Sequence, residues 1–382
     1  MKCKLGEIVD ITMGQSPKSI YYNQVGEGYP FLQGNRTFGL KYPTFDTYTT
    51  VMTKLAKSGD VIMSIRAPVG ALNITPRDMC LGRGVCSLRM KNGNQEFLYY
   101  MMKYYVSDLI SKESGTVFGS VNRNDINDLE VDIPENVEKQ VRIGRILSSI
   151  DDKIELNNQI NNNLEQQAKI IFNHLVINNP NFHSFKLTPL SELCKLITKG
   201  TTPTTLGKNF TNSGINFIKV ESILENHSFN REKFSYINKT TNFILKRSIL
   251  HSGDILFTIA GTLGRFALVD DSILPANTNQ AVAIIRVNKD KILPEYLYSS
   301  FLGNWHNDYY KRHVQQAVQA NLSLTTIKSL LIPMLPQAEL QKYMELVHPI
   351  IKYMKKNEKE NYLLAEQKNF ILPKLMTGEL TP

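Results

Sequence analysis

The sequence has 382 residues, enough for two hydrophobic cores and the segments that connect them. Hydrophobic residues make up 42% of the chain and charged residues 21%, a globular composition that excludes a disordered polymer. Lys and Arg number 44 against 35 Asp and Glu, and the formal net charge of +9 favours a polyanionic partner. No apolar run reaches the roughly 18 residues that suggest a transmembrane helix, so no membrane association is expected.

The cysteines and the first residues favour a cytoplasmic protein. The four cysteines are Cys3, Cys80, Cys86 and Cys194. They contain no C-x-x-C pair, which predicts reduced thiols and argues against a structural zinc site. Charged residues at Lys2, Lys4 and Glu7 stand where a secretory signal would need apolar ones.

The chain repeats itself with a period near 200 residues. Ser58–Ile65 aligns with Ser252–Ile259, with four of eight residues identical, and a glycine follows each at the same distance (Gly70 and Gly264). Other pairs follow in the same order, from Gly14 with Gly200 to Glu138 with Glu339. The offset rises steadily along the chain, from 186 to 201 residues, as one duplicated module with small insertions would give.

Each copy of the module is predicted to mix short strands with one short helix. In the first copy the predicted elements are strands at Phe31–Leu32 and Val61–Ile65 and then a helix at Glu96–Val106. In the second copy they are strands at Phe217–Ile218 and Ile255–Ile259 and then a helix at Glu295–Leu302. The strands at Val61 and Ile255 each follow a Ser-Gly-Asp turn.

A long helix with a heptad pattern follows each copy. The apolar seam of the first helix comprises Ile143, Leu147, Ile150, Ile154, Leu164, Ala168 and Ile171. The seam of the second comprises Leu340, Met344, Val347, Ile351, Met354, Ala365 and Leu372. Steps of three and four residues predict a coiled coil. Polar residues interrupt both seams near the middle, at Asn157 and Asn161 and at Glu358, Asn361 and Lys368, and buried Asn at such positions can fix register. Pro349 is expected to kink the second helix or to delay its start.

The predicted fold class is α+β, with two duplicated mixed α/β domains separated by two long antiparallel coiled-coil helices. The expected domains are residues 1–134 and 181–335, and the expected helical spacers are residues 135–180 and 336–382. About 30 helical residues at about 1.5 Å each span about 45 Å. Antiparallel packing would place the two domains at opposite ends of such a rod, about one turn of B-DNA apart.

Candidate catalytic motifs fail on inspection. Gly200–Lys208 ends in Gly-Lys-Asn and lacks the spacing of a P-loop, and Asn179–Phe182 lacks the second proline of an amino-methyltransferase motif. No H-E-x-x-H or G-x-S-x-G occurs, and the seven histidines lack metal-ligand spacing. Asp151-Asp152-Lys153 is interpreted as a solvated helix face. The sequence therefore predicts a binding protein with no catalytic residue, no metal and no cofactor.

The positive charge lies mainly in the second copy. Residues 180–335 contain 17 basic and 10 acidic residues, whereas both helices are close to neutral. Base reading needs polar and basic side chains on loops that reach the groove edges. Candidate contacts after the paired strands are Gln33, Asn35, Arg36, Lys219 and Glu221. Candidates around the duplicated strand are Arg66, Arg83, Arg265, Asn279 and Gln280. For each residue the alternative is a surface side chain with local hydrogen bonds.

The ordered motifs resemble one known family. They are the Ser-Gly-Asp strands that run to Ala67–Gly70 and Ala260–Gly264, then Ile126–Val131 and Ile327–Ile332, Pro336–Gln341, Ile146–Ile154 and Leu375–Leu380. The first copy has Glu135 where Pro336 stands in the second. Over essentially its whole length the chain resembles the specificity subunit of type I restriction–modification systems.

The resemblance implies a role for each part. Each globular module would be a target recognition domain that reads half of a split site in double-stranded DNA. The helices would fix the gap and dock two methyltransferase (modification) subunits, which bring S-adenosylmethionine. Restriction subunits would add ATP-driven translocation and cleavage, so none of these cofactors belongs to this chain. Two alternatives stay open from the residues alone: a two-headed protein-interaction scaffold that does not read DNA, and a stand-alone enzyme whose cofactor loop is not recognisable.

Overall fold

The structure is a computed structural model that describes residues 1–111, 119–307 and 321–382. His313, one of the seven histidines, lies outside the described residues. The chain divides into a first unit, Met1–Glu155 with Leu363–Pro382, and a second unit, Leu156–Tyr362. Each of the two long helices contributes residues to both units.

The first unit carries two sheets and a strand pair. Its elements are β1 (Lys2–Lys4), α1 (Leu5–Ile8), β2 (Val9–Met13), β3 (Tyr22–Asn23), β4 (Tyr29–Leu32), β5 (Tyr48–Thr49), β6 (Leu55–Ala56), β7 (Val61–Ser64), β8 (Leu72–Ile74), β9 (Met79–Leu81), β10 (Val85–Met90), α2 (Gln95–Ser111), α3 (Arg123–Asn127), β11 (Glu130–Asp132) and the first part of α4 (Val137–Phe172). The strand orders are β2-β10-β7-β8 and β3-β5-β4-β9-β6, and β1 pairs with β11.

The second unit contains the corresponding elements. They are β12 (Lys186–Pro189), α5 (Leu190–Leu193), β13 (Cys194–Lys199), β14 (Ile215–Ile218), β15 (Ser235–Ile237), α6 (Lys239–Ile244), β16 (Ile255–Thr258), β17 (Phe266–Leu268), β18 (Ala276–Thr278), β19 (Val282–Val287), α7 (Pro294–Leu302), α8 (Leu324–Lys328), β20 (Leu331–Met334) and most of α9 (Gln337–Thr377). The strand orders are β13-β19-β16-β17 and β15-β14-β18, and β12 pairs with β20.

The strand topology confirms the duplication. The order β2-β10-β7-β8 recurs as β13-β19-β16-β17, and the pair β1–β11 recurs as β12–β20. A parallel pair, β4 with β9, recurs as β14 with β18. The predicted strands are present as β4, β7, β14 and β16, and the predicted helices are present as α2 and α7.

The repeated Ser-Gly-Asp turn pairs a buried carboxylate with an arginine in each unit. Gly59 and Gly253 have φ of 84° and 89°, a left-handed backbone that favours glycine. In the second unit Arg286 donates from Nε and Nη2 to the two oxygens of Asp254, each at 2.7 Å. In the first unit Arg89 Nε lies 2.6 Å from Asp60 Oδ1. The signature is therefore structural, because the carboxylate holds the turn against the neighbouring strand.

Aromatic side chains pack the long helices against each unit's sheet. In the first unit the core joins Phe97 of α2 to Leu147 of α4 and Leu375 of α9. In the second unit Phe172 of α4 lies 6.3 Å from the rings of both Tyr296 and Tyr343, measured between centroids. Burying each such side chain stabilises the fold by about 1.5–3 kcal/mol. The helices thus complete the core of each unit.

Within each unit α4 and α9 pack antiparallel. In the second unit Asn157 Nδ2 donates to Asn361 Oδ1 at 2.9 Å, whereas Phe172 packs on Tyr343. In the first unit Asp151 pairs with Lys368, and Leu147 shares a core with Leu375. Residue numbers therefore increase along α4 in the direction in which they decrease along α9. Of the predicted seam, buried members are Ile143, Leu147, Ile150, Ile154, Ala168, Val347, Ile351 and Met354. Half-buried members are Leu164, Ile171, Leu340, Met344, Ala365 and Leu372.

The polar interruption of the seam is a hydrogen-bonded ladder in the second unit. Asn357 Nδ2 donates to Asn161 Oδ1 at 2.8 Å, and Asn361 Nδ2 donates to Asn158 Oδ1 at 2.9 Å. Asn157 Nδ2 also donates to Glu360 Oε2 at 2.9 Å. Because amide groups pair only at matching heights, the ladder favours one register of the two helices.

Two expectations for the helices need correction. Asp151 is not on a solvated face: it is 1% exposed, accepts a hydrogen bond from the Tyr100 hydroxyl at 2.8 Å and pairs with Lys368. The heptad pattern missed this because Lys368 is distant in sequence. Asp152 is exposed and pairs with the buried Lys41 ammonium at 2.6 Å. Of the two effects expected of Pro349, the delayed start is wrong, because the second helix begins at Gln337 and continues through Pro349. The kink stays a prediction.

Candidate nucleic-acid interface

Four loops of the first unit meet beside the end of β9. We call residues 14–17, 33–36, 65–66 and 82–84 the first loop cluster. The Gly84 amide donates to the Gln33 carbonyl at 3.0 Å, and the Arg83 amide donates to Ser16 Oγ at 3.1 Å. The Ile65 amide donates to the Gly84 carbonyl at 2.9 Å. Backbone hydrogen bonds therefore fix the loops that carry the predicted contacts.

A glycine makes this close approach possible. A Cβ added at Gly14 would meet the carbonyl oxygens of Gly82 and Val85. Its counterpart Gly200 has the same surroundings, since a Cβ there would meet the carbonyl oxygens of Thr278 and Asn279. The repeated Gly14/Gly200 position thus lets the loop after β2 or β13 lie directly on the loop after β9 or β18.

The first loop cluster presents exposed polar side chains. Gln33, Arg66 and Arg83 are exposed, and their side chains have no hydrogen bond or ion pair within the part of the chain that the structure describes. Arg36 is also exposed but pairs with Asp46 at 2.6 Å, and this hydrogen bond lowers the pKa of the Asp46 carboxyl. Asn35 is half-buried. The structure brings Gln33, Arg66 and Arg83 together on one set of loops.

The second unit builds the same arrangement from other residues. We call residues 200–203, 219–222, 259–265 and 279–281 the second loop cluster. The Gly200 amide donates to the Asn279 carbonyl at 3.1 Å, and the Ile259 amide donates to the Ala281 carbonyl at 2.8 Å. The Thr278 hydroxyl donates to the Ile218 carbonyl at 2.8 Å. The two clusters therefore share a backbone frame.

Most candidate side chains of the second loop cluster have local partners. Arg265 donates from Nη2 to Glu225 Oε1 at 2.9 Å and from Nη1 to the Ile223 carbonyl at 3.1 Å. Lys219 Nζ lies 2.9 Å from Glu221 Oε1. Burial acts to raise the pKa of Glu221, but the hydrogen bonds to its carboxylate from Lys219 and from its own backbone, together with the charges of Lys219 and Lys233, lower the pKa overall.

The two amides of this cluster also bond locally. Gln280 Oε1 accepts a hydrogen bond from the Thr202 amide at 3.2 Å and another from its hydroxyl. Asn279 Oδ1 accepts from the Ala281 amide at 3.1 Å. Both side chains therefore help to order the loops on which they lie.

Several further residues hold these loops in place but do not stand out in the sequence. Ser16 and Thr202 bind the neighbouring loops, yet the Gly14–Pro17 and Gly200–Pro203 segments were noted only as a repeat. Arg247 was not singled out, although its Nη2 lies 3.3 Å from Thr201 Oγ1 and 3.4 Å from the Lys199 carbonyl. The repeat itself was the available signal, because a glycine and a proline held at matching positions mark a loop of defined shape.

Among residues 1–111, 119–307 and 321–382, no three His, Cys, Asp or Glu side chains are grouped as a metal site would require. None of the helices in those same ranges is long and apolar enough to cross a membrane.

The comparisons with known proteins all concern one family. The family model for the type I restriction modification DNA specificity domain matches twice, at residues 1–166 and 184–367. The putative type I restriction enzyme MjaX specificity subunit of Methanocaldococcus jannaschii is 36% identical over 44% of this chain, and the match spans 39% of that relative. The MjaIX specificity subunit of the same organism is 24% identical over 86% of this chain and 79% of its own length.

A solved structure shows the same fold. The S subunit of a type I restriction–modification system from M. genitalium superposes with a TM-score of 0.62 and 14% sequence identity, covering 98% of this chain and 95% of that one. The likeness agrees with the predicted fold class of two repeated α+β domains with long helices.

Proposed function

Because the chain belongs to the type I restriction modification DNA specificity family, we propose that each of its two loop clusters reads one half of a split site in double-stranded DNA. The chain is a specificity subunit, and catalysis lies in separate subunits. We assign residues 1–134 and 181–335 to the two target recognition domains and residues 135–180 and 336–382 to the helical spacers.

One observation carries this proposal: the same loop frame is built twice with different side chains. Gly14 and Gly200 hold equivalent loops, but Gln33 and Arg83 on the first frame correspond to Lys219 and Gln280 on the second. Phosphate contacts position a protein on DNA, whereas base contacts specify sequence. A shared frame with different polar side chains suits two readers of different half-sites.

We further propose that the helices dock two modification subunits and set the gap between half-sites. Large apolar side chains remain exposed along α4 and α9, and a second protein would cover them. On α4 these are Val137, Ile146, Leu156 and Ile170, and on α9 they are Leu346, Tyr353, Leu363 and Phe370. Restriction subunits would join the same complex. A complex that acts on cellular DNA implies a cytoplasmic location for this chain.

Exchanging residues 181–335 for those of another family member is expected to change one half of the methylated sequence and leave the other half unchanged. The reason is that the second loop cluster moves with this segment while the first is untouched. The measurement is the mapping of methylated bases in DNA from cells that express the chimera with its modification subunits. A methylated sequence identical to that of the parent chain would refute the proposal.

Inserting one heptad into each long helix is expected to lengthen the gap between half-sites by about 3 base pairs. Seven helical residues add about 10 Å to a helix, and one base pair along B-DNA is about 3.4 Å. Methylation mapping on a library of duplexes with graded gaps measures the preferred spacing. As a control, two alanine substitutions at exposed positions of the same helices should leave the spacing unchanged. An unaltered gap after insertion would show that the helices do not set the distance.

A further inference from the structure

The short helix α6 is fixed to the sheet that leads into the second loop cluster. Asn238 caps it, because Asn238 Oδ1 accepts from the Thr241 amide at 2.8 Å. Asn277 of β18 donates from Nδ2 to Asn242 Oδ1 at 2.8 Å and to the Leu245 carbonyl at 3.2 Å. The strand that holds α6 ends at Thr278, directly before Asn279 and Gln280 of the cluster. The helix is therefore a positioned part of this surface.

Two large apolar residues of α6 point away from the core. Leu245 is buried with Phe217 and Ile237, which satisfies the packing of the helix on the sheet. Phe243, in contrast, is 74% exposed and Ile244 is 45% exposed. Since folding does not bury these two side chains, the fold provides no reason for an aromatic ring at position 243.

The surroundings of the two apolar residues carry positive charge. Residues 239–253 contain Lys239, Lys246 and Arg247 but no Asp or Glu. Arg247 contacts the Lys199 carbonyl and the Thr201 hydroxyl and so joins this segment to residues 193–220, which contain four lysines and again no acidic residue. The positive charge of this surface is complementary to a phosphate backbone.

We propose that Phe243, with Ile244 beside it, is an apolar wedge that inserts between base pairs of the bound duplex while Lys239, Lys246 and Arg247 hold the flanking phosphates. This inference rests on the proposed function of the second loop cluster. Side chains of this kind partly unstack a base step and kink the duplex, and the bend brings more phosphate against the protein. At the wedged base step the protein selects DNA sequences that deform easily, in addition to those whose base edges it contacts.

The wedge belongs to the second unit alone. In the first unit the residues before the corresponding Ser-Gly-Asp turn form the short strand β6, Leu55–Ala56, and the described residues between β5 and β6 contain no helix. The distortion is therefore confined to the half-site of the second unit. Base steps that unstack easily, such as TA or CA, are favoured at the point of insertion.

The test uses the full chain assembled with its modification subunits. The probes are a set of 40-base-pair duplexes that contain the methylated sequence found by mapping. Each duplex carries a single 2-aminopurine, and its position in the half-sites differs from one duplex to the next. We expect the parent complex to raise the 2-aminopurine fluorescence at one step of the second half-site only. Phe243→Ala should abolish this rise and weaken duplex binding about tenfold, and Phe243→Leu should retain part of both.

The control is Leu187→Ala, which removes an exposed apolar side chain of the same unit on β12, far in sequence from α6. It should leave binding and fluorescence unchanged. Trp305 fluorescence and co-purification of the modification subunits show that each variant folds and assembles. If Phe243→Ala loses these subunits, the ring contacts protein and the wedge is overturned.

The outcomes separate the wedge from the function on which it rests. A parent complex that binds the mapped sequence tightly, but raises the fluorescence at no position, contradicts the wedge and leaves the specificity role intact. Unchanged binding by Phe243→Ala contradicts the wedge in the same way. A parent complex that binds no duplex and methylates none contradicts the proposed function, and the wedge is overturned with it.

Discussion

Replacing Asp254 with alanine is expected to lower the free energy of unfolding of the second unit by about 3–5 kcal/mol. Asp254 is fully buried, and its two oxygens accept from Arg286 Nε and Nη2 at 2.7 Å. The His251 amide also donates to Asp254 Oδ2 at 2.8 Å. Removing the carboxylate leaves a partly buried guanidinium without its counter-charge and an amide without its acceptor, so the loss exceeds that of a surface pair.

The measurement is chemical denaturation followed by tryptophan fluorescence. The sequence has one tryptophan, Trp305, which lies in the second unit and donates from Nε1 to the Leu331 carbonyl at 2.7 Å. Asp254→Asn should cost less than Asp254→Ala, because the amide oxygen still accepts from His251. The matched control is Glu225→Ala: Glu225 pairs with Arg265 but its side chain is 85% exposed, so we expect a change of about 1 kcal/mol or less. Equal losses for Asp254→Ala and Glu225→Ala would contradict the structural role of the turn.

The sequence predicted the frame of the protein because the frame follows from local patterns that occur twice. The Ser-Gly-Asp turn, the apolar run after it and the glycine at position 14 or 200 are short-range features, and each recurs at the expected place in the second copy. The heptad steps predicted two long helices, which extend over Val137–Phe172 and Gln337–Thr377. Patterns of this kind depend on periodicity and turn chemistry, which a single sequence displays.

The partners of charged side chains were beyond the reach of the sequence. Arg265 pairs with Glu225, 40 positions away, and Asp151 pairs with Lys368, 217 positions away. Such pairs depend on which loops and helices meet in the fold, so the sequence alone made Arg265 a candidate contact and Asp151 a solvated residue. Phe243 escaped notice for a related reason: a Phe followed by two apolar residues, here Ile244 and Leu245, usually belongs to a core.

The second unit is expected to lose stability as the pH falls from 6.5 towards 4, because it buries two histidines. Burial lowers the pKa of His227 from 6.5 to about 4, with a smaller contribution from the charge on Lys355. Burial, with a smaller contribution from His227, lowers the pKa of His306 to about 3. His227 stacks on Phe266 with a centroid distance of 3.8 Å, and His306 packs against Phe301 at 4.9 Å.

The sign follows from the protons bound in each state. Below pH 6.5 the unfolded chain protonates both imidazoles while the folded unit keeps them neutral, so acid favours unfolding. Each histidine contributes a slope of about 1.4 kcal/mol per pH unit between its unfolded and folded pKa. Two partly buried carboxyls oppose this slope. Glu165 Oε1 lies 3.8 Å from His227 Nε2, and Glu358 pairs with Lys355. Burial raises the pKa of both carboxyls, so their protonation in acid removes the cost of burying a negative charge and favours the folded unit.

Denaturation followed by Trp305 fluorescence at pH 7.5, 6.5 and 5.5 measures the net change in the free energy of unfolding. One variant and its control then isolate the contribution of His227. His227→Asn removes one titrating group and keeps a residue that tolerates the left-handed backbone, since φ at His227 is 62°. We expect this variant to lose about half of the slope below pH 6.5. Substituting the exposed His183 in the same way is the control and should leave the slope as it is. A slope that persists undiminished in His227→Asn would mean that this imidazole is charged in the folded unit, and the stacking on Phe266 would then hold a cation rather than a neutral ring.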